Sequence, residues 1–324
     1  MDNVVALLGV PGLEKDLGAV EERLERALSP DDPFLAQVAQ HLARAGGKRL
    51  RPALSVAVAR AAGAEVTSDV VDGAVAVELV HQGSLYHDDV MDSADLRHGV
   101  ESANRRWGNL VSILTGDFLL ARASEMAAAL GSEVAGLLAA TIARMCEGQV
   151  RELADAFNPA RTEESYLSSI GGKTAALWSA ACRTGGLTAD LPRPQIDALT
   201  AYGWSFGMAF QVCDDVLDVI GTDEELGKPA GNDLMEGVYT LPVLRALADE
   251  QSGPELRSLL GGPLGLPERD KAREIVRGSD GINYAVGVAN GYAEEAAAAL
   301  VGFTGDGAEA LAQMPARLVD RYRR

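Results

Sequence analysis

The chain has 324 residues, 47% of them hydrophobic and only 5% aromatic, and carries a net charge of −18. That composition supplies ample apolar surface for a large core, and the charge excludes a nucleic-acid or anionic-membrane binder, because both surfaces repel so acidic a protein. No stretch reaches the 18 or so uninterrupted apolar residues of a membrane span, and the acidic N-terminus lacks the pattern of a signal peptide.

Ala and Leu abound and no period-2 run of β-branched residues is sustained, so the elements are expected to be helices. Residues 1–30 read as an N-terminal helical extension, with charges interleaved at helical spacing from Leu13 to Leu28. Ser29 to Pro33 is a turn that starts the next helix. Residues 46–52, Gly-Gly-Lys-Arg-Leu-Arg-Pro, stop a helix, add a basic turn and place a proline in the first turn of another. Lys48 and Arg51, three residues apart, either form a charged connector or converge on one phosphate group.

Glu78 to Arg97 begins as an apolar helical pattern and ends in Asp88, Asp89 and Asp92. Asp88 and Asp92 are one helical turn apart on one face, with His81 two turns earlier. Carboxylates so placed repel each other and resist burial unless a cation holds them. Mg²⁺ suits them, because it takes one or two carboxylates and completes its octahedron with water and phosphate oxygen.

Asn104 to Ala129 and Ser132 to Phe157 read as two long apolar helices, and Thr162 caps the next one. The glycines of Gly171-Gly172-Lys173-Thr174-Ala175 each cost roughly 1 kcal/mol against Ala, which predicts a kink or break presenting Lys173 and Thr174 into a cavity. Phe210 to Gly221 then repeats the acidic device with Asp214, Asp215 and Asp218, one turn after Gln211. One such motif is as readily solvated surface charge; two suggest helices facing each other across a mouth that holds several Mg²⁺ ions and a diphosphate. Residues 227–242 read as a loop or lid, further helices follow, and residues 320–324 end the chain on a basic terminus. Cys146, Cys182 and Cys213, odd in number and in apolar helical surroundings, read as buried free thiols of a reducing cytoplasm.

The Gly-Gly-Lys-Arg-Leu-Arg-Pro turn, the two D-D-x-x-D motifs, Gly-Gly-Lys-Thr-Ala and the Gly-Lys-Pro-Ala-Gly-Asn-Asp tail at 227–233 occur in the order seen in trans-isoprenyl diphosphate synthases, the polyprenyl synthetase family, which the chain resembles from about residue 30 onward. The resemblance implies one all-α domain over 1–324, a helical bundle around a deep central cavity, and a cytoplasmic homodimer. It implies a prenyltransferase joining isopentenyl diphosphate to an allylic diphosphate with about three Mg²⁺ ions. It assigns Lys48, Arg51, His81 and His98 to isopentenyl diphosphate, and Arg97, Lys173, Thr174, Gln211 and Lys228 to the allylic diphosphate. Asp88, Asp92, Asp214 and Asp218 become metal ligands, and Asp88, Asp92, Asp214 and Lys173 the groups that promote ionisation.

Two positions depart from the family pattern: His98 stands where a second arginine is usual, and Val238 where a lysine is often found. Gly83 and Ser84, small residues where short-chain members carry a bulky aromatic, imply a channel opened by roughly one helical turn (~5.4 Å) and a product longer than C20. Release of such a product calls for transient membrane contact. The alternatives are a C15–C20 synthase, a class I terpene cyclase, or a non-catalytic subunit of a heteromeric synthase. The intact aspartates oppose the last of these, and the basic turn with its second acidic motif opposes the cyclase. An EF-hand is excluded by the missing loop spacing.

Overall fold

The structure, a computed structural model, describes residues 2–222, 224 and 230–320; Lys228 and the basic residues 321–324 lie outside them. The fold is all-α, and the described residues contain only one two-stranded hairpin. The chain divides into two compact units, Met1–Ile142 with Leu177–Gly203 and Ala299–Ala312, and Ala143–Ala176 with Trp204–Ala298 and Gln313–Arg324.

In the first unit, α1 (Asp2–Leu8) and α2 (Leu13–Ala27) precede α3 (Pro33–Ala45), which starts as expected: Asp32 accepts from the Leu35 N–H at 2.8 Å and Pro33 occupies the first turn. The Leu13, Leu17, Val20 and Leu24 stripe of α2 is buried. In α4 (Leu50–Ala61) Ala53 to Ala59 are buried on every face, which marks a central helix. It packs on α5 (Ser68–Met91), the helix that carries the first acidic motif. A hairpin, β1 (Leu96–Arg97) and β2 (Val100–Glu101), follows. The single helix expected from Asn104 is two, α6 (Ala103–Trp107) and α7 (Asn109–Ala129), because Gly108 takes φ 86° and interrupts the ladder.

The α5–α7 crossing is set by glycine. A Cβ on Gly83 would lie 3.1 Å from the Gly116 carbonyl oxygen, and one on Gly116 would lie 3.0 Å from that of Gly83. Small residues at this crossing let the two backbones approach closely.

Helix α8 (Ser132–Ala154) runs into the second unit, which continues with α9 (Glu163–Ile170), capped by Thr162 accepting from the Ser165 N–H at 3.1 Å. Residues Gly171–Ala175 do not break the helix: they form a π-helical turn that leads directly into α10 (Ala176–Thr188). The reason is α8. A Cβ on Gly148 would sit 2.4 Å from the Lys173 amide nitrogen, and one on Gly172 would sit 2.7 Å from the Arg144 carbonyl. Two glycines therefore allow backbone-to-backbone contact, and the extra residue of the π turn is accommodated there. Gly148→Ala is expected to lower stability by about 2 kcal/mol, read as a shift of the urea midpoint with an unchanged slope.

Helix α11 (Arg193–Ile220) carries the second acidic motif. After it come α12 (Asn232–Met235), α13 (Leu241–Leu247), α14 (Gly253–Leu259) and α15 (Leu266–Gly278), whose core joins Val219, Leu234, Tyr239, Val243, Leu256 and Val276. The last helices are α16 (Gly281–Ala299) and α17 (Asp306–Asp320). Arginines of α15 cap the end of α11: Arg273 donates to the carbonyls of Val219 (3.1 Å) and Gly221 (2.7 Å), and Arg277 to those of Val219 (3.0 Å) and Ile220 (2.9 Å). Cations there satisfy orphan carbonyls and complement the helix dipole.

Candidate active site

In the first unit, α5 ends where its motif begins to turn outward. Asp88 is half-buried, and Asp92 is the exposed C-cap whose N–H returns to the Asp88 carbonyl at 2.8 Å. Asp89, between them, is fully buried, and Arg97 Nε donates to its Oδ1 at 2.7 Å. The motif thus divides its labour: the inner aspartate anchors β1, and the outer two are presented.

His98 and Gly99 link β1 to β2 with φ 53° and 78°, and two consecutive positive φ values define the I′ turn of a two-residue hairpin. The sequence pointed to no hairpin here. His98 is therefore held on a defined turn, near Arg97, Arg49 and Lys48, which with burial lower its pKa; Asp89 acts weakly in the other direction.

The basic turn also holds more than Lys48 and Arg51. Arg49 takes φ 48° and donates to Glu21 (2.8 Å), Glu78 (3.2 Å) and the Ala43 carbonyl (2.9 Å). Glu78 is almost wholly buried and also accepts from Gln82 at 3.0 Å. Arg49 thus ties α2, α3 and α5 to the start of α4. It leaves Lys48 exposed. Gly47 permits this arrangement, since a Cβ there would lie 2.8 Å from Arg49 Nη1.

Arg51 stands with its guanidinium carbon 4.8 Å from the Trp178 ring centroid and donates from Nη1 to His81 Nε2 at 3.1 Å. Arginine has no acceptor, so His81 carries its proton on Nδ1. Burial pushes Arg51 down to about 10, still charged at neutral pH. Burial first, then Arg51, His98, Arg49 and Arg97, hold the His81 pKa well below the ordinary imidazole value, so His81 is neutral. Lys48, Arg51, His81, Arg97 and His98 are thereby gathered near one another.

Ser84 donates to the His81 carbonyl at 2.8 Å. Gly83 does not border the empty space that its missing side chain suggested. Its Cβ direction meets Leu120 at 3.2 Å and the α7 backbone, a neighbour 33 or more residues on that local sequence could not reveal.

The second unit repeats the division of labour. Asp214 is exposed, whereas Asp215 is buried and accepts from Tyr166 Oη at 2.5 Å and from Gln211 Nε2 at 2.8 Å. Burial raises the Asp215 pKa to about 7 against the pull of those two hydrogen bonds. Asp218 is also buried, with Oδ2 accepting from the Asp233 N–H at 3.3 Å. Thr174 donates to Gln211 Oε1 at 2.8 Å, and Lys173 pairs with Glu152 at 2.5 Å. Lys228 and the lid reading of 225–229 fall outside the described residues. Sequence reasoning missed Arg49, Glu78 and Tyr166; the one available signal for Tyr166 is its position five residues before the Gly-Gly pair.

The donor set is hard carboxylate oxygen, which fits Mg²⁺. Among the described residues no three His, Cys, Asp or Glu side chains converge into a preassembled nest.

The sequence profile of the polyprenyl synthetases matches residues 32–276. Heptaprenyl diphosphate synthase component 2 of Geobacillus stearothermophilus is 40% identical over 88% of each chain. Nonaprenyl diphosphate synthase of Mycobacterium tuberculosis is 39% identical over 86% of this chain and 83% of its own. A crystal structure of a polyprenyl synthase from Caulobacter crescentus, complexed with calcium and isoprenyl diphosphate, superposes with TM-score 0.91 at 37% identity, covering 99% of this chain and 97% of that one. An all-α fold with two acidic helices and basic turns is the framework of an isoprenyl diphosphate synthase. The chain belongs to the polyprenyl synthetase family.

Proposed function

We propose that the protein condenses isopentenyl diphosphate with an allylic prenyl diphosphate and repeats the step to an all-trans polyprenyl diphosphate longer than C20. One observation carries this most: both motifs bury their middle aspartate in a hydrogen-bonded network, on Arg97 in one and on Tyr166 and Gln211 in the other, and present the first. A merely solvated acidic face has no cause to repeat that arrangement.

Asp88, Asp92 and Asp214 would hold Mg²⁺, with Asp218 supporting the start of the following segment. When bound, the ions neutralise the diphosphate leaving group. Arg97, Lys173, Thr174, Gln211 and Lys228 bind the allylic diphosphate, and its C–O bond breaks with the electron pair going to diphosphate oxygen. Lys173 shares the developing negative charge, after exchanging Glu152 for the substrate. Lys48 and Arg51, oriented by Arg49 and His81, hold isopentenyl diphosphate so that its double bond attacks the allylic carbon. The resulting cation loses a proton, for which the departing diphosphate is the base, and an allylic diphosphate is regenerated. Apolar helix walls exclude the water that would quench the cation.

The relatives' heptaprenyl and nonaprenyl names support a long product. We place α7 along the channel, so Gly83→Phe, which must displace Leu120 or the α7 backbone, is expected to shorten the product. Chromatography of dephosphorylated products is expected to shift toward C15–C20; an unchanged distribution rejects this control.

The partner is a second copy of the chain. Helix α7 exposes Leu110, Ile113 and Leu114, a stripe at helical spacing that a monomer would leave in water. A heteromer is the second reading, favoured because the Geobacillus relative is named component 2 of its enzyme. We place the enzyme in the cytoplasm, meeting membranes only to discharge product; its cysteines are free, Cys182 and Cys213 buried but Cys146 exposed, against the expectation of three buried thiols, and no helix among the described residues is long and apolar enough to cross a membrane. Purified protein with Mg²⁺, labelled isopentenyl diphosphate and a series of allylic primers tests the activity. Extension by the chain alone supports the homomer; extension only after a second component is added supports the heteromer; cyclic hydrocarbon indicates a cyclase.

A further inference from the structure

Tyr166 is a buried polar group of the second unit that the reaction itself leaves without a task. Its ring is buried on α9, and its hydroxyl donates to Asp215 Oδ2 at 2.5 Å. The other carboxylate oxygen takes one N–H of Gln211 at 2.8 Å, and Gln211 Oε1 accepts from Thr174 at 2.8 Å. Behind the ring lies Arg161, whose side chain is 1% exposed and whose guanidinium carbon is 5.6 Å from the ring centroid. Arg161 donates to the Tyr239 carbonyl at 3.3 Å and lies 3.5 Å from Asp155.

The order of this chain of contacts matters. A glutamine amide is nearly symmetric in shape, so what faces each end decides where its N–H₂ points. With Asp215 accepting on one side and the Thr174 hydroxyl donating on the other, the amide of Gln211 has one orientation. A single N–H is left over for a ligand. If Asp215 were free to rotate, it could withdraw from Nε2, and Gln211 could turn its carbonyl oxygen toward an incoming anion. The tyrosine hydroxyl occupies the second carboxylate oxygen and removes that rotation. Arg161 fixes the ring from behind and ties it to the backbone at Tyr239.

We propose that Tyr166 is a positioning residue for the allylic diphosphate: through Asp215, and with Thr174 donating to its oxygen, it fixes Gln211 with its remaining N–H set for the anion, and Arg161 locks it in place. The proposal rests on the assignment of Gln211 and Thr174 to that substrate. Tyr166 touches no substrate atom. Its effect therefore falls on the affinity for one substrate and leaves the isopentenyl site alone.

Tyr166→Phe keeps the ring and removes the hydroxyl. With magnesium and both substrates, the KM for the allylic diphosphate is expected to rise about tenfold, the loss typical of one hydrogen bond to a charged group. The KM for isopentenyl diphosphate is expected to stay within about twofold, with the thermal midpoint little changed. In a Gln211→Ala background the same substitution is expected to add almost nothing, because Tyr166 acts through the residue already removed. Unchanged allylic KM overturns the proposal. So does a parallel rise in both KM values, or a full additional effect beside Gln211→Ala, since each describes a residue that merely fills the core. A wild-type protein that extends no primer, either alone or with a second component, instead overturns the underlying assignment of function.

Discussion

Asp214→Asn is expected to reduce kcat/KM about a thousandfold or more, and to raise the Mg²⁺ concentration needed for half-maximal rate. The substitution keeps the shape of the side chain and removes its charge. Asp214 is the exposed member of its pair, so its burial contributes little to the fold. Stability should therefore hold while turnover collapses. Asp215→Asn makes the informative contrast, because its two oxygens accept from Tyr166 and Gln211 and an amide can satisfy only one of them. That variant should lose stability as well as affinity for the allylic substrate. Calorimetry beside steady-state kinetics separates the two, and equal kinetic losses with equal unfolding in both variants would remove the distinction drawn between outer and inner aspartates.

The second large effect lies at Arg51, in the site proposed for isopentenyl diphosphate. Arg51→Gln is expected to raise the KM for isopentenyl diphosphate about 100-fold with little change in the allylic KM, since a buried guanidinium is replaced by a neutral group. The pH dependence has two signs. Arg51 is pushed down to about 10, so affinity for isopentenyl diphosphate should fall as pH rises through that value. His98 is lowered by burial and by the cations beside it, so it is neutral at pH 7 and gains charge only as pH falls below the ordinary imidazole value near 6.5. Affinity should therefore improve at that acid end, until loss of carboxylate charge stops turnover. His98→Arg supplies the cation at every pH. It should lower the KM several-fold at pH 7 and abolish the acid-side gain. Arg49, already at φ 48° one loop away, shows that this chain accommodates arginine in the left-handed region.

Much of this arrangement was legible in the chain because its chemistry is local. Carboxylates one turn apart, a Gly-Gly-Lys turn and a Pro in a first turn are each specified within a few residues, and the helices carrying them appear where the periodicity places them. What escaped was set by distant partners. Arg49 looked interchangeable with its basic neighbours, yet its three acceptors come from α2, α3 and α5. Gly171 and Gly172 looked like a helix break, but Gly148 on another helix offers the room that converts the break into a π turn. Gly83 looked like an opening, and Leu120 fills the place. The I′ turn at His98 was hidden because histidine is not the usual residue for positive φ, and only the pairing of Leu96 with Glu101 requires it.

Turnover of labelled isopentenyl diphosphate by the purified chain, primed with an allylic diphosphate and compared with and without magnesium, bears most directly on the carboxylate-and-diphosphate chemistry placed on Asp88, Asp92 and Asp214. Acid-labile prenyl diphosphates longer than C20 are expected with the metal and none once it is chelated. Equal extension in the presence of chelator, or in a chain carrying both Asp88→Asn and Asp214→Asn, would contradict it.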